Sequence, residues 1–195
     1  WLDFFCYTMF VDRDGKFQLG MLSTSAFKPL AASMGPMLKE ESFHLGTGSN
    51  GLRRVIKAGV IPLDMLQRFF NKWVSTAHDL FGVDASSSAH WSYVWGVKGR
   101  WDERKKLEAG LEVDKEVLNE EARGHYHAEI VGEVEKLNGY LPEGSTPLVV
   151  PHENFNRDIG AFKRQRYTTE GVLFEGSDEE WDAFLHVTLP TAQDE

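Results

Sequence analysis

Apolar residues recur at spacings of three, four and seven through the N-terminal part of the chain. Phe5, Met9, Asp12, Leu19, Leu22 and Ala26 fall on one face of a helix expected over residues 1–26. Met34, Leu38, Glu41, His44 and Leu45 share a face of a second helix. Pro29 suits the first helical position of that second helix, which puts the turn near Phe27-Lys28. Asp12 and Glu41 then lie at one level, each roughly 20–22 Å from the hairpin end. Asp12-Arg13-Asp14-Gly15 is also a good turn sequence, so the local pattern leaves helix and turn equally open there. Further on, 62–81 reads as helix with Leu63, Leu66, Phe69, Phe70, Trp73 and Val74 buried, and 88–96 as a short aromatic helix. A long amphipathic helix is expected over 107–137, with Leu111, Leu118, Ala122, Ile130, Val134 and Leu137 as its stripe. Residues 148–151 and 167–174 look extended, and Asp178-Glu179-Glu180 opens a last short helix through Leu185. The pattern predicts an all-α fold: a helical bundle portion over 1–141, then a mostly irregular extension or lid over 142–195.

The chemistry suggested by this pattern centres on Glu41-Ser42-Phe43-His44. A carboxylate and an imidazole three residues apart on a helix share a face, and di-iron four-helix bundles build each half of their site from such a pair. Asp12 faces it across the hairpin. A lone ExxH is common on solvated helices. Here Met34, Met37, Leu38, Phe43 and Leu45 keep it apolar company, where an ionisable group needs a partner or a metal. Glu40 lacks the three-residue offset to His44, and Gly15 and Gly35 leave room for close approach or a cofactor. Other histidines make weaker candidates. Glu121 and His125 are four apart, while His125 and His127 point to different sides of a helix. His78 precedes an expected helix end, and His90 sits in a serine-capped helix start. Core or capping roles suit all of them better than ligation. Gly46, Gly48 and Gly51 match GxGxxG, but they follow a helix and no βαβ unit surrounds them. A helix C-terminus with a glycine-rich break is the expected structure there.

The segments FVDRDGKFQL (10–19), SAFKPLA (25–31), MLKEESFHLG (37–46), DLFG (79–82), GVKGRWDE (96–103) and VVPHENFNRDIGAF (149–162) together resemble the oxygenase components of benzoyl-CoA epoxidase. These are ferritin-like di-iron proteins related to the catalytic subunit of phenylacetyl-CoA epoxidase. The resemblance implies a partial ferritin-like bundle in which Asp12, Glu41 and His44 are iron ligands. It also implies that the remaining ligands lie upstream, so the chain looks like the C-terminal half of a longer polypeptide. The implied reaction is epoxidation of an aromatic acyl-CoA with O₂. Electrons from NAD(P)H would arrive through a separate flavin or iron–sulfur reductase. Arg53, Arg54 and Lys57 are candidates for the CoA phosphates, although a solvated basic face suits them better.

Composition narrows the field without changing this picture. Across 195 residues, 42% apolar content with thirteen phenylalanines and six tryptophans can fill a sizeable core. A net charge of −9 argues against nucleic acid, whose phosphates select basic surfaces. One cysteine, Cys6, precludes an internal disulfide and fits a reducing cytoplasm. No apolar run is long enough to span a membrane. Two other readings share the ligands. One is a di-iron hydroxylase or desaturase acting on a carrier-bound substrate, and the other is a non-catalytic bundle that has lost its metal.

Overall fold

Pro29 in the first turn and Gly59 just past the end, in the left-handed conformation at φ 62°, bound the longest element, α3 (Lys28–Ala58). Proline's fixed φ suits a helix start, and glycine takes positive φ without steric cost. The computed structural model describes residues 1–113, 116–157 and 165–194. Preceding α3, three helical stretches follow one another without a break: α1 (Leu2–Cys6), a π-helical turn (Tyr7–Val11) and α2 (Asp12–Leu22). Asp12-Arg13-Asp14-Gly15 is therefore helix and not turn.

The helix expected to reach residue 26 stops at Leu22. Backbone-directed hydroxyls explain the difference. Ser23 and Thr24 donate to the Gly20 and Met21 carbonyls at 2.6 and 2.8 Å, and Ser25 Oγ accepts the Phe27 amide at 3.2 Å. The turn thus covers 23–27. Beyond it, α3 runs antiparallel to the first rod. Gly15 lies against Glu41, Gly48 against Met9 and Gly51 against the Phe5 ring. The glycine-rich stretch expected to break this helix is instead inside it, because glycine lets two backbones approach more closely than any side chain allows.

The remaining bundle elements are α4 (Leu63–Leu80), α5 (Ser87–Val94), α6 (Glu103–Glu108) and α7 (Leu118–Asn138). α4 packs on the π turn through Phe10 and Phe70, whose ring centroids are 5.0 Å apart, edge to face. α7 packs on α2 through Phe17 and Tyr126. Two ion pairs reinforce that contact: the buried Arg13 reaches Glu129 at 2.5 Å and Lys16 reaches it at 2.7 Å. Met9, Phe10, Leu52, Phe70, Tyr126 and Ile130 are fully buried at the centre. Cys6 is buried there too, as a free thiol whose pKa burial pushes well up.

The long helix expected over 107–137 begins only at Leu118; residues 114 and 115 lie outside the described residues. Gly110 adopts φ 69° and ends α6, leaving Leu107 and Leu111 60% and 57% exposed. The carboxylate of Asp84, from another part of the chain, accepts the amides of Asn119 and Glu120, both at 2.9 Å, and so fixes where α7 starts. From Leu118 onward the expected stripe is buried: Leu118, Ala122, Ile130, Val134 and Leu137.

The extended stretches form no strand among the described residues, only one antiparallel bridge between Tyr167 and Leu173. The part of the 149–162 segment at 158–162 lies outside the described residues. A last helix, α8 (Asp178–Thr188), starts with a Ser177–Glu180 capping box and runs three residues past the expected end. It rests on α4, where Asn71 donates to the Thr188 carbonyl at 2.9 Å and Arg68 pairs with Asp194 at 2.7 Å. The architecture is an all-α, ferritin-like bundle. No described helix is long and apolar enough to cross a membrane.

Candidate metal centre

Asp12 is the first residue of α2, and its amide donates to the Tyr7 carbonyl five residues earlier, closing the π turn. Glu41 and His44 lie three apart on the facing side of α3. The hairpin brings all three together: one donor atom from each lies within 4.8 Å of the others. His44 Nδ1 is 3.4 Å from Asp12 Oδ2 and 3.7 Å from Glu41 Oε2. Among the described residues no other group of three such side chains converges in this way.

The electrostatics are those of an under-neutralised acidic pair. Burial raises the pKa of Asp12, and His44 opposes the shift. Glu41 is raised by burial and then by Asp12, with His44 pulling back. Glu41 Oε2 is buried without a hydrogen-bond partner, since 3.7 Å to His44 exceeds hydrogen-bond reach. An orphaned carboxylate oxygen is costly to bury, and a cation would satisfy it. The donor set, two carboxylates and an imidazole, is hard and oxygen-rich, which suits non-haem iron. The three residues fit such an ion.

Gly15 takes the role expected of it, since a Cβ there would sit 3.3 Å from Glu41 Oε1. Gly35 does not, because nothing lies within 4 Å of the Cβ it lacks. The apolar company of the ExxH is also only partly as expected. Met34 is buried, but Phe43 is 77% exposed and Met37 is exposed as well. Phe43 instead lines an open groove of about 970 Å³ with Trp1, Phe5, Arg54 and Val55. The cause is angular: Phe43 lies two residues from Glu41, about 200° around the helix.

The sequence assigns Asp14 no role beyond a stretch open to helix or turn. It is in fact buried, with its carboxyl pushed up to about 7 by desolvation, opposed by a hydrogen bond from Gln18 and by Lys98. Lys98 in turn donates to Gln18 and Asn119 at 2.9 and 2.8 Å. The i,i+4 spacing of Asp14 and Gln18 was the available signal.

The histidines set aside in the sequence have other surroundings. His78 is fully buried, with Nε2 3.2 Å from His127 Nδ1. His125 packs on Trp101 and is exposed, as is His90, so neither takes the core or capping role expected of it. Ser86 caps that helix instead, accepting the Ala89 amide. Glu121 pairs with Arg100 and Lys106. Arg53, Arg54 and Lys57 are exposed, with Lys57 lying over the Tyr140 ring.

The profile of the phenylacetic acid catabolic protein family matches residues 1–156. The chain belongs to that family. It is also similar to benzoyl-CoA oxygenase component B of Aromatoleum evansii, with 34% identity over an alignment of 235 positions. That alignment takes in 100% of this chain and 49% of the relative, so the chain spans about half the length of the curated relative it matches. The hairpin in which Asp12, Glu41 and His44 stand lies wholly inside the matched residues.

Proposed function

We propose that this chain is part of a di-iron oxygenase that uses O₂ and external electrons to epoxidise an aromatic acyl-CoA, with Asp12, Glu41 and His44 as metal ligands. The observation that carries the reading is the convergence of these three donors, with Glu41 Oε2 left unpartnered, in a chain of this family. The relative's name, an oxygenase component acting on benzoyl-CoA, supports the substrate class. When bound, a pair of irons supplies O₂ reduction and oxygen transfer, one atom going to the ring and the other to water. The chain's own residues prepare for this. Asp12 and Glu41 supply negative charge, and their raised pKa values mean that a metal would compete with protons for both carboxylates. His44 offers its ring Nδ1 on the same side. Gly15 leaves space for the Glu41 carboxylate. Three donors make half of a two-metal centre, so the reading requires further donors outside the described residues. Electrons would come from a separate flavin or iron–sulfur reductase drawing on NAD(P)H. Residues 142–195 would act as an extension or lid on the bundle.

A second reading is a metal-free bundle in which His44 is an ordinary polar partner of the carboxylates; the 3.4 Å contact with Asp12 favours it. One experiment separates the two. The protein is produced with iron, and metal content is measured for wild type, Asp12→Ala, Glu41→Ala and His44→Ala. Three donors being half a centre, this chain alone is not expected to turn over, so the longer polypeptide that the reading requires is reconstituted with reductase, NADH and ¹⁸O₂ and assayed on benzoyl-CoA by mass spectrometry. The proposal expects iron in the wild type, affinity at least about 100-fold weaker in each variant, and a product carrying one ¹⁸O atom. Iron binding that is indifferent to all three substitutions refutes the ligand assignment. Iron without ¹⁸O transfer to the ring refutes the epoxidase reading.

A further inference from the structure

The glycines at 46, 48 and 51 belong to no phosphate loop, yet two of them press on the first rod, Gly51 on α1 and Gly48 at the rod's least regular point. A Cβ on Gly48 would fall 2.5 Å from the Met9 amide nitrogen and 2.7 Å from Thr8 Oγ1, and both atoms belong to the π-helical turn. One on Gly51 would fall 2.2 Å from Cδ1 of the Phe5 ring. Gly48 lies seven residues after Glu41 and four after His44, and so continues the face that carries both. The α3 backbone at the level of the π turn is thus in direct contact with it, one helical turn beyond His44.

A π turn fits one more residue into a turn than an α-helix does, and each residue of an α-helix accounts for about 100°. Here the turn ends on Asp12, whose amide bonds the Tyr7 carbonyl. If the rod relaxed to a regular α-helix about its anchored α1 end, Asp12 would rotate roughly 100° away from Glu41 and His44. Thr8 is placed to prevent this. It is buried inside the π turn, and its hydroxyl donates to the Phe4 and Phe5 carbonyls at 2.9 and 3.2 Å, satisfying acceptors where the widened turn begins. Gly48 closes the other side, because only a residue without a side chain lets α3 press on Thr8 and Met9.

We infer that Thr8 and Gly48 are positioning residues: they hold the π turn that aims Asp12 at Glu41 and His44. The inference rests on the reading of those three side chains as metal ligands.

The test is an anaerobic cobalt(II) titration of the protein, read by affinity and by the visible ligand-field bands. It compares wild type with Thr8→Val, Thr8→Ser and Gly48→Ala. Ser75→Ala serves as a control, because Ser75 is equally buried and bonds its own helix, on α4. Thr8→Val and Gly48→Ala should each weaken cobalt binding at least about 10-fold and shift the bands, as outer partners of metal ligands do. Thr8→Ser should restore both, and Ser75→Ala should lose stability without touching either. Wild-type affinity and bands in Thr8→Val and Gly48→Ala overturn the inference, as does failure of Thr8→Ser to restore them. Absence of cobalt binding in the wild type overturns the ligand reading itself, so the two failures are distinguishable.

Discussion

Replacing Gly15 by alanine should move stability and metal affinity in opposite directions. Gly15 lies inside α2 with ordinary helical backbone, since it is not among the glycines at positive φ. Alanine in a helix interior is favoured over glycine by about 0.8–1.0 kcal/mol. For a chain of this size that corresponds to a rise in melting temperature of roughly 2–4 °C. The new methyl would lie 3.3 Å from Glu41 Oε1 and 3.4 Å from its carboxyl carbon. Those atoms end a flexible side chain, so the carboxylate gives way by a few tenths of an ångström and little of the helical gain is lost. A metal ligand tolerates such a shift poorly. By comparison with outer partners of metal ligands, iron or cobalt affinity should fall about 10- to 100-fold. Urea unfolding of the metal-free protein gives the first number, and metal titration gives the second. Gly15→Ala protein that is no more stable than wild type and binds metal equally well would show that the hairpin register around Glu41 is wrong. A gain in stability with unchanged affinity would show that Glu41 is not a ligand.

Two further predictions concern the scaffold. His78 is held well below its ordinary pKa by burial, then by His127, Arg123, Arg157 and His152. The unfolded chain protonates this residue near pH 6.5 while the folded one does not, so stability falls as pH drops below about 6.5, by up to about 1.4 kcal/mol per unit. His78→Gln should flatten that decline in unfolding measurements between pH 7.5 and 5.5; an unchanged slope would show that His78 titrates normally in the fold. Asp84→Ala should cost about 1–2 kcal/mol by removing the acceptor for the Asn119 and Glu120 amides, while Asp84→Asn keeps most of it. Equal losses in the two variants, measured by urea unfolding, would rule out the capping role.

The residues brought together at the site were readable because they obey local rules. Pro29 fixes the start of α3, 3.6-residue periodicity fixes the faces, and equal distances from the turn set Asp12 opposite Glu41. What escaped was whatever depends on a partner remote in sequence. The π turn at Tyr7–Val11 is a change of hydrogen-bond register with no compositional signature, and its support, Gly48, stands far along the chain. The same contact explains why the 46–51 glycines were misread: locally they look like a helix end, and only the opposing rod makes them useful inside one. The start of α7 depends on Asp84 in the same way, so Leu107 does not open the helix and Leu111 is not part of its buried stripe. Buried charge was equally hidden. Nothing local marks Arg13 and Asp14 as buried; α7 and Lys98 supply their counterparts.

The sequence carries a single cysteine, and the fold places it, fully enclosed, immediately before the π turn. A neutral, enclosed thiol reacts with alkylating reagents only when its surroundings open. Cys6 is therefore a built-in clock for the breathing of α1 against α3 and α4. Its modification rate times the loosening of the segment that leads into Asp12, without an engineered label and without a second thiol to confuse the signal.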